Sequence, residues 1–140
     1  MKLLIDSSVF IAFFNDADVF HKESVVFFEK LLEDKNIIIV LPILVFLEAA
    51  NVLQKKISSF NEEKLLEAFS KYEKVDLSFD SSREYLLLFN QLHLKTSDAI
   101  IAACAKLTNA ALVTWDEKLV KEAKKFVDIQ TPKTFLNKAN

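Results

Sequence analysis

The chain carries no glycine in 140 residues. Glycine enters left-handed backbone without a steric penalty, so every tight turn here must use another residue. Asn, Asp and Ser are the available substitutes, because short polar side chains tolerate that geometry and bond their own backbone. The same absence excludes glycine-rich phosphate loops of both the nucleotide-triphosphate and the dinucleotide kind. A chain of this composition that handles phosphate must do so with side chains and bound cations.

Short apolar runs alternate with longer stretches of helical periodicity. Lys2–Ile5, Ile37–Leu41, Val75–Leu77, Leu112–Thr114 and Val127–Gln130 read as strands. The run Ile37–Leu41 is β-branched and continuous, as in a strand covered on both faces. Val9–Phe14, Ala17–Asp34, the stretch from Pro42 to Lys56, Asn61–Tyr72, Ser81–Leu92, Glu117–Lys125 and a closing turn at Pro132–Lys138 read as helices. Thr96 or Ser97 is placed to cap a further helix through Leu107. Strands alternating with helices predict an α/β fold, a short parallel sheet flanked by helices in three layers. No repeat or linker interrupts the pattern, so residues 1–140 are expected to form one domain.

In such sheets ligands bind beyond the carboxyl ends of the strands, which makes the positions of the acids informative. Asp6 follows the first strand directly, and Asp116 follows Leu112–Thr114 after one residue. Asp98 lies in the first turn of the helix that leads into that strand. Glu48 stands within the apolar stretch Leu44-Val45-Phe46-Leu47-Glu48-Ala49-Ala50 and must face solvent or a polar site, because a buried unpaired carboxylate is costly. Each acid also has an ordinary explanation: Asp98 beside a helix dipole, Asp116 as a helix cap, Asp6 in a turn, Glu48 on a solvated face. Together they suggest more. Clustered carboxylates repel unless a cation neutralises them, and an all-oxygen set suits Mg²⁺ or Mn²⁺. Such a site leaves room for a phosphate, the layout of metal-assisted phosphodiester hydrolysis.

Four stretches carry a family resemblance: Leu4-Ile5-Asp6-Ser7-Ser8-Val9, the helix bearing Glu48, Ser97-Asp98-Ala99-Ile100-Ile101-Ala102-Ala103, and Leu112-Val113-Thr114-Trp115-Asp116. In order and approximate spacing they resemble the PIN-domain family, and within it the VapC-type toxins of toxin–antitoxin pairs. The Asp98 run followed by a strand and Thr114-Trp115-Asp116 is the most specific piece. The resemblance implies the PIN-like three-layer fold, dependence on Mg²⁺ or Mn²⁺ and endoribonuclease activity. It further implies that Asp6, Glu48, Asp98 and Asp116 are metal ligands and catalytic residues, with Ser8 and Thr114 supporting them. An RNA substrate, a cognate antitoxin and a homodimer are the partners it implies.

The rest of the sequence is read against that expectation. A net charge of −2 advertises no general affinity for nucleic acid, so RNA contacts must be local. Lys55, Lys56, Lys71, Lys74 and Arg83 are candidates for phosphate contacts, beside the plainer reading of a solvated surface. One cysteine, Cys104, excludes an internal disulfide and suits a reducing cytoplasmic setting. The apolar start before Asp6 is too short for a signal peptide or a membrane span. His21, His93 and Cys104 lie in no recognisable catalytic or zinc spacing. Phe10, Phe13, Phe14, Phe27 and Phe28 exceed what one helix face needs, so they fill the core or line a groove for a partner. Rival readings are a phosphatase of the haloacid-dehalogenase type, disfavoured because Ser8 stands where it needs Asp, a catalytically silent PIN module that binds RNA or protein, and a PIN nuclease of RNA processing.

Overall fold

The structure is a computed structural model and describes residues 1–139. Its elements run β1 (Lys2–Ile5), α1 (Ser7–Phe14), α2 (His21–Glu33), β2 (Ile38–Pro42), α3 (Ile43–Lys56), α4 (Glu62–Phe69) and β3 (Glu73–Val75). They continue with α5 (Ser82–Phe89), α6 (Thr96–Thr108), β4 (Ala111–Val113), α7 (Glu117–Ala123), β5 (Ile129–Gln130) and α8 (Pro132–Ala139). The five strands form one parallel sheet in the order β3-β2-β1-β4-β5. Leu3, Leu4 and Ile5 of the central strand are wholly buried, which is why β1 is a continuous apolar run. Each such side chain contributes about 1.5–3 kcal/mol relative to exposure.

The strand order places a topological switch at β1. The chain leaves β1 toward β2 on one side, and the later strand β4 pairs with β1 on the other. Connections after β1 and β4 therefore diverge, and a crevice opens where they part. Ile5 pairs with Val113, so Asp6 and Thr114 emerge side by side at its floor. Helix α3 enters from β2 with Val45, Ala49 and Leu53 on its buried face, one residue per turn.

Turns follow the glycine-free rule. The side chains of Asn15, Asp18 and Asp34 each accept the N–H two residues on, closing Asx turns at 3.2, 2.8 and 2.9 Å. Asn109, with φ 54°, is the one residue at positive φ among those described, and it ends α6.

Several element boundaries differ from those expected of the sequence. Helix α2 begins at His21 rather than Ala17, because Asn15 and Asp18 spend residues 15–20 on turns. Neither Thr96 nor Ser97 caps α6; Lys95 occupies that position without a side-chain bond. Pro42 ends β2 and precedes α3 instead of lying in its first turn. Strand β2 is covered only in its second half, where Val40 and Leu41 are buried while Ile38 is 45% exposed. The strand expected at 75–77 is displaced to Glu73–Val75, where Val40, Leu41 and Pro42 supply its pairing partners.

Candidate active site

Asp6 is buried at the carboxyl end of β1, and its environment explains how a carboxylate tolerates that. Its Oδ2 accepts hydrogen bonds from Ser8 Oγ and Thr114 Oγ1, both at 2.8 Å. Hydrogen bonds to a charged group contribute about 1.5–3 kcal/mol each. Thr114 Oγ1 in turn accepts the Asp116 N–H at 3.0 Å, and Ser8 Oγ accepts the Trp115 N–H at 3.1 Å. The two hydroxyls thus tie the end of β1 to the turn after β4. Ser8 and Thr114 are the small polar residues singled out in the sequence, and both bond Asp6.

Glu48 is half-buried in the second turn of α3, where its Oε2 accepts a bond from Ser7 Oγ at 3.2 Å. Burial pushes its carboxyl above the usual range, the Ser7 bond opposes this, and repulsion from Asp6 and then Asp98 raises it further. Asp98, in the first turn of α6, is likewise pushed up by burial. Lys95, at 3.8 Å, pulls it down, while Asp6, Asp116 and Glu122 repel it. These mutual repulsions identify Asp6, Glu48 and Asp98 as electrostatic neighbours. Asp116 is exposed at the start of α7 and caps it, its Oδ1 accepting the Leu119 N–H at 3.0 Å. Capping and a place beside the other acids are therefore compatible roles for the same side chain.

A pocket of about 200 Å³ joins Asp98 and Asp116 to His93, Lys95, Lys118 and Glu122. A larger concavity, about 720 Å³, opens at the opposite end of the strands beside Met1, Lys106 and Asp128, and none of the four acids lines it. The carboxylate crevice is the stronger candidate, because it gathers under-neutralised charge at the switch point.

The donor set suits a hard divalent cation. All four groups are oxygen donors, and among the described residues Asp98 has only the distant Lys95 contact. Glu48 and Asp116 each engage one carboxylate oxygen, leaving lone pairs available. As placed, no three acidic, imidazole or thiol groups among the described residues converge closely enough to enclose an ion. The donor chemistry fits such a cation, while the side chains stand apart.

The basic residues expected to face phosphate are not those beside the acids. Lys74 Nζ donates to the carbonyls of Ser70 and Tyr72 at 2.7 and 2.9 Å and is occupied there. Lys55 and Lys56 end α3, about 11 Å along its axis from Glu48. Lys95 and Lys118 border the acids instead. Lys95 was legible as the i−3 neighbour of Asp98. Ser7, His93 and Glu122 had no local signal and become visible only once the elements pack. His21 has a structural partner, its Nδ1 lying 2.9 Å from the Ala12 carbonyl, and Cys104 is buried. Phe10, Phe27 and Phe28 are core residues, whereas Phe13 and Phe14 are half-buried and border an apolar groove of about 430 Å³ with Leu31, Leu32 and Tyr72.

No curated protein matches the chain by sequence. Solved structures resemble it over nearly their whole length. A toxin–antitoxin complex from Klebsiella pneumoniae is 23% identical, covering 93% of this chain and 97% of that one at a TM-score of 0.67. VapBC2 from Rickettsia felis, bound to a promoter DNA fragment, is 22% identical over 94% and 98%, TM-score 0.68. The sarcin–ricin-loop-cleaving toxin VapC20 of Mycobacterium tuberculosis is 16% identical over 91% and 98%, TM-score 0.63. These likenesses establish a shared fold. The sequence pattern of the PIN domain matches from residue 3 to residue 125, through every element that bears one of the four acids, and the chain therefore belongs to the PIN domain family.

Proposed function

We propose that this chain is a metal-dependent endoribonuclease and the toxin of a toxin–antitoxin pair. The observation that carries the reading is the buried, doubly hydrogen-bonded Asp6 with Glu48 and Asp98 as repelling neighbours at the switch point. Membership of the PIN family and likeness to toxin structures support it.

Asp6 and Asp98 would hold Mg²⁺ or Mn²⁺, with Glu48 and Asp116 completing the set or orienting water. When bound, the cation supplies a water activated at neutral pH and neutralises charge on the phosphate. Ser8 and Thr114 fix the direction of the Asp6 carboxylate through their two hydrogen bonds. Ser7 favours the ionised form of Glu48, which must be deprotonated to ligate or to take a proton from water. Water oxygen forms a bond to phosphorus, one ester P–O bond breaks, and the leaving oxygen is protonated. Lys95 and Lys118 border the acids and offer local cations to a polyanion that the net charge would otherwise repel.

The apolar groove beside Phe13 and Phe14 is proposed to take the antitoxin, and the protein to act as a homodimer in the cytoplasm. Among the described residues no helix is long and apolar enough to cross a membrane. Sedimentation of the purified chain tests the dimer, and loss of cleavage on adding a candidate antitoxin tests that partner.

The decisive experiment is incubation of total cellular RNA with purified protein and Mn²⁺, with EDTA, and with Asp98→Asn. Discrete fragments that vanish in both controls are expected. Cleavage that persists undiminished in either control overturns the metal-carboxylate reading. Binding without cleavage would move the chain to the silent RNA-binding class.

A further inference from the structure

Phe20 stacks on Trp115 with ring centroids 4.3 Å apart and planes 7° from parallel, the closest and flattest aromatic pair among the described residues. The contacts among Phe10, Phe28, Phe69 and Tyr72 in the core are all tilted or edge-on. Phe20 also differs in exposure: 39% of it is open to solvent, and Val19 beside it is 84% exposed. Trp115 packs against the core and adjoins the carboxylates in sequence, directly before Asp116, while Phe20 covers it from outside and leaves its own ring partly open to solvent.

The indole ring of Trp115 and the backbone of Phe20 are both held by hydrogen bonds. The indole Nε1 of Trp115 donates to Ser24 Oγ at 2.9 Å, and Ser24 is wholly buried. The Trp115 N–H donates to Ser8 Oγ, the same hydroxyl that donates to Asp6. Asp18 Oδ1 accepts the Phe20 N–H at 2.8 Å, and the Phe20 carbonyl accepts the Ser24 N–H at 2.9 Å as α2 begins. One hydroxyl therefore links the aromatic pair to the buried carboxylate, and Asp116 follows Trp115 directly. A ligand stacking here would order little that is not already ordered.

We propose that the Phe20–Trp115 pair is a stacking platform for one unpaired base of a single-stranded RNA segment whose phosphate lies among the carboxylates. This rests on the ribonuclease reading and deepens it. Single-stranded RNA is recognised largely by stacking of splayed bases on aromatic rings, and a ring presents a face to any base. The platform would bind substrate without reading sequence. It also gives a protein of net charge −2 a source of affinity that does not depend on phosphate contacts.

The test uses initial rates on an unstructured oligoribonucleotide with Mn²⁺ for wild type, Phe20→Ala, Phe20→Leu and Phe20→Tyr. The Ala and Leu variants are expected to raise KM on the order of 10-fold with kcat little changed, and Tyr to restore the wild-type value. Leucine covers Trp115 without offering a ring, so a Leu variant equal to wild type would reduce Phe20 to packing and overturn the proposal. Because Trp115 is the only tryptophan, emission excited at wavelengths that tyrosine does not absorb reports on this site alone. Titrating Asp98→Asn with the same oligonucleotide should quench that emission saturably, with about 10-fold weaker binding when Phe20→Leu is added. Quenching without any cleavage by wild type would keep the platform and remove the nuclease. Cleavage indifferent to all three Phe20 variants would keep the nuclease and remove the platform. RNA binding by Asp98→Asn that is unchanged when Phe20→Leu is added would likewise overturn the proposal.

Discussion

Two halves of the carboxylate crevice are built differently. On the β1–β4 side, Asp6 is buried and one of its oxygens takes two hydroxyl bonds of 2.8 Å. On the helical side, among the described residues, Glu48 has a single bond of 3.2 Å from Ser7, and Asp98 has only Lys95 at 3.8 Å. The strand side is fixed by the protein itself. On the helical side both carboxyls are pushed up, first by burial and then by repulsion from the neighbouring acids. A site assembled this way holds one anchor in place and depends on something positive to gather the rest.

The largest effects should separate the two halves by stability while joining them by activity. Asp6→Asn and Asp98→Asn are each expected to reduce RNA cleavage to the EDTA background. Their melting temperatures without added metal should move in opposite directions. Asp98→Asn removes repulsion and should raise it, whereas Asp6→Asn weakens two charge-assisted bonds and should lower it. Equal cleavage by either variant and wild type would remove that residue from the reaction.

The supporting hydroxyls should rank in the same way. Thr114→Val conserves shape in a fully buried position and deletes the bond to Asp6, so metal affinity or activity should fall about 10- to 100-fold. Ser7→Ala removes a longer bond to a half-buried group and should cost less. It should also shift the acidic limb of the pH–rate profile upward, because the Ser7 bond holds the Glu48 carboxyl down. Two variants with equal losses would mean that the strand side is no more anchored than the helical side.

Metal should close the difference between the halves. Mg²⁺ or Mn²⁺ at a hundredfold excess over its dissociation constant should add about 2.7 kcal/mol to unfolding stability, read from thermal or urea melts. A melt indifferent to saturating metal would mean that the four acids form no ion site.

The contrast also explains what the sequence could reveal. The strand side was legible because it is local: an Asp directly after a buried run, and Thr114-Trp115-Asp116 directly after another. The alternation of runs gave the parallel α/β fold, and an acid within an apolar helical stretch at Glu48 required a polar neighbour. The partners on the helical side come from packing. Glu122 reaches Asp98 from α7, His93 arrives from the segment before α6, and Ser7 meets Glu48 across 41 positions. No periodicity encodes such meetings. Boundaries were lost where side chains compete with helix, as at Asn15 and Asp18, whose Asx turns delay α2.

A pH series without metal should sharpen the contrast further. Both Glu48 and Asp98 have carboxyls raised in the folded protein, so their protonated forms are favoured by folding. Stability from this source is full below the ordinary carboxylate value, 3.8 for Asp98, and is lost as pH rises through the raised value. The stabilising effect of Asp98→Asn should therefore be greatest near neutrality and should close as pH approaches 4. A difference constant across that range would show that neither burial of the Asp98 charge nor its repulsion by the other acids burdens the helical side.

The smallest expected effect lies far from the crevice and tests whether stability and activity separate at all. Asn109 ends α6 with φ 54°, and Ala110 N–H bonds the Ala105 carbonyl at 2.9 Å in a Schellman-type closure. In most proteins a glycine would stand there; in this chain asparagine carries the left-handed turn. Asn109→Ala places an ordinary side chain in that geometry and should cost about 1 kcal/mol, seen as a lower urea midpoint. Asn109→Gly removes the steric penalty and should leave the midpoint near or slightly above wild type. Asn109 lies ~16 Å along α6 from Asp98. Cleavage by the Ala variant should therefore match wild type at temperatures where both are folded. A fall in activity comparable to that of Thr114→Val would mean that the turn at the end of α6 helps aim Asp98. The helical half of the site would then be positioned through its whole helix, rather than by the cation and the first turn alone.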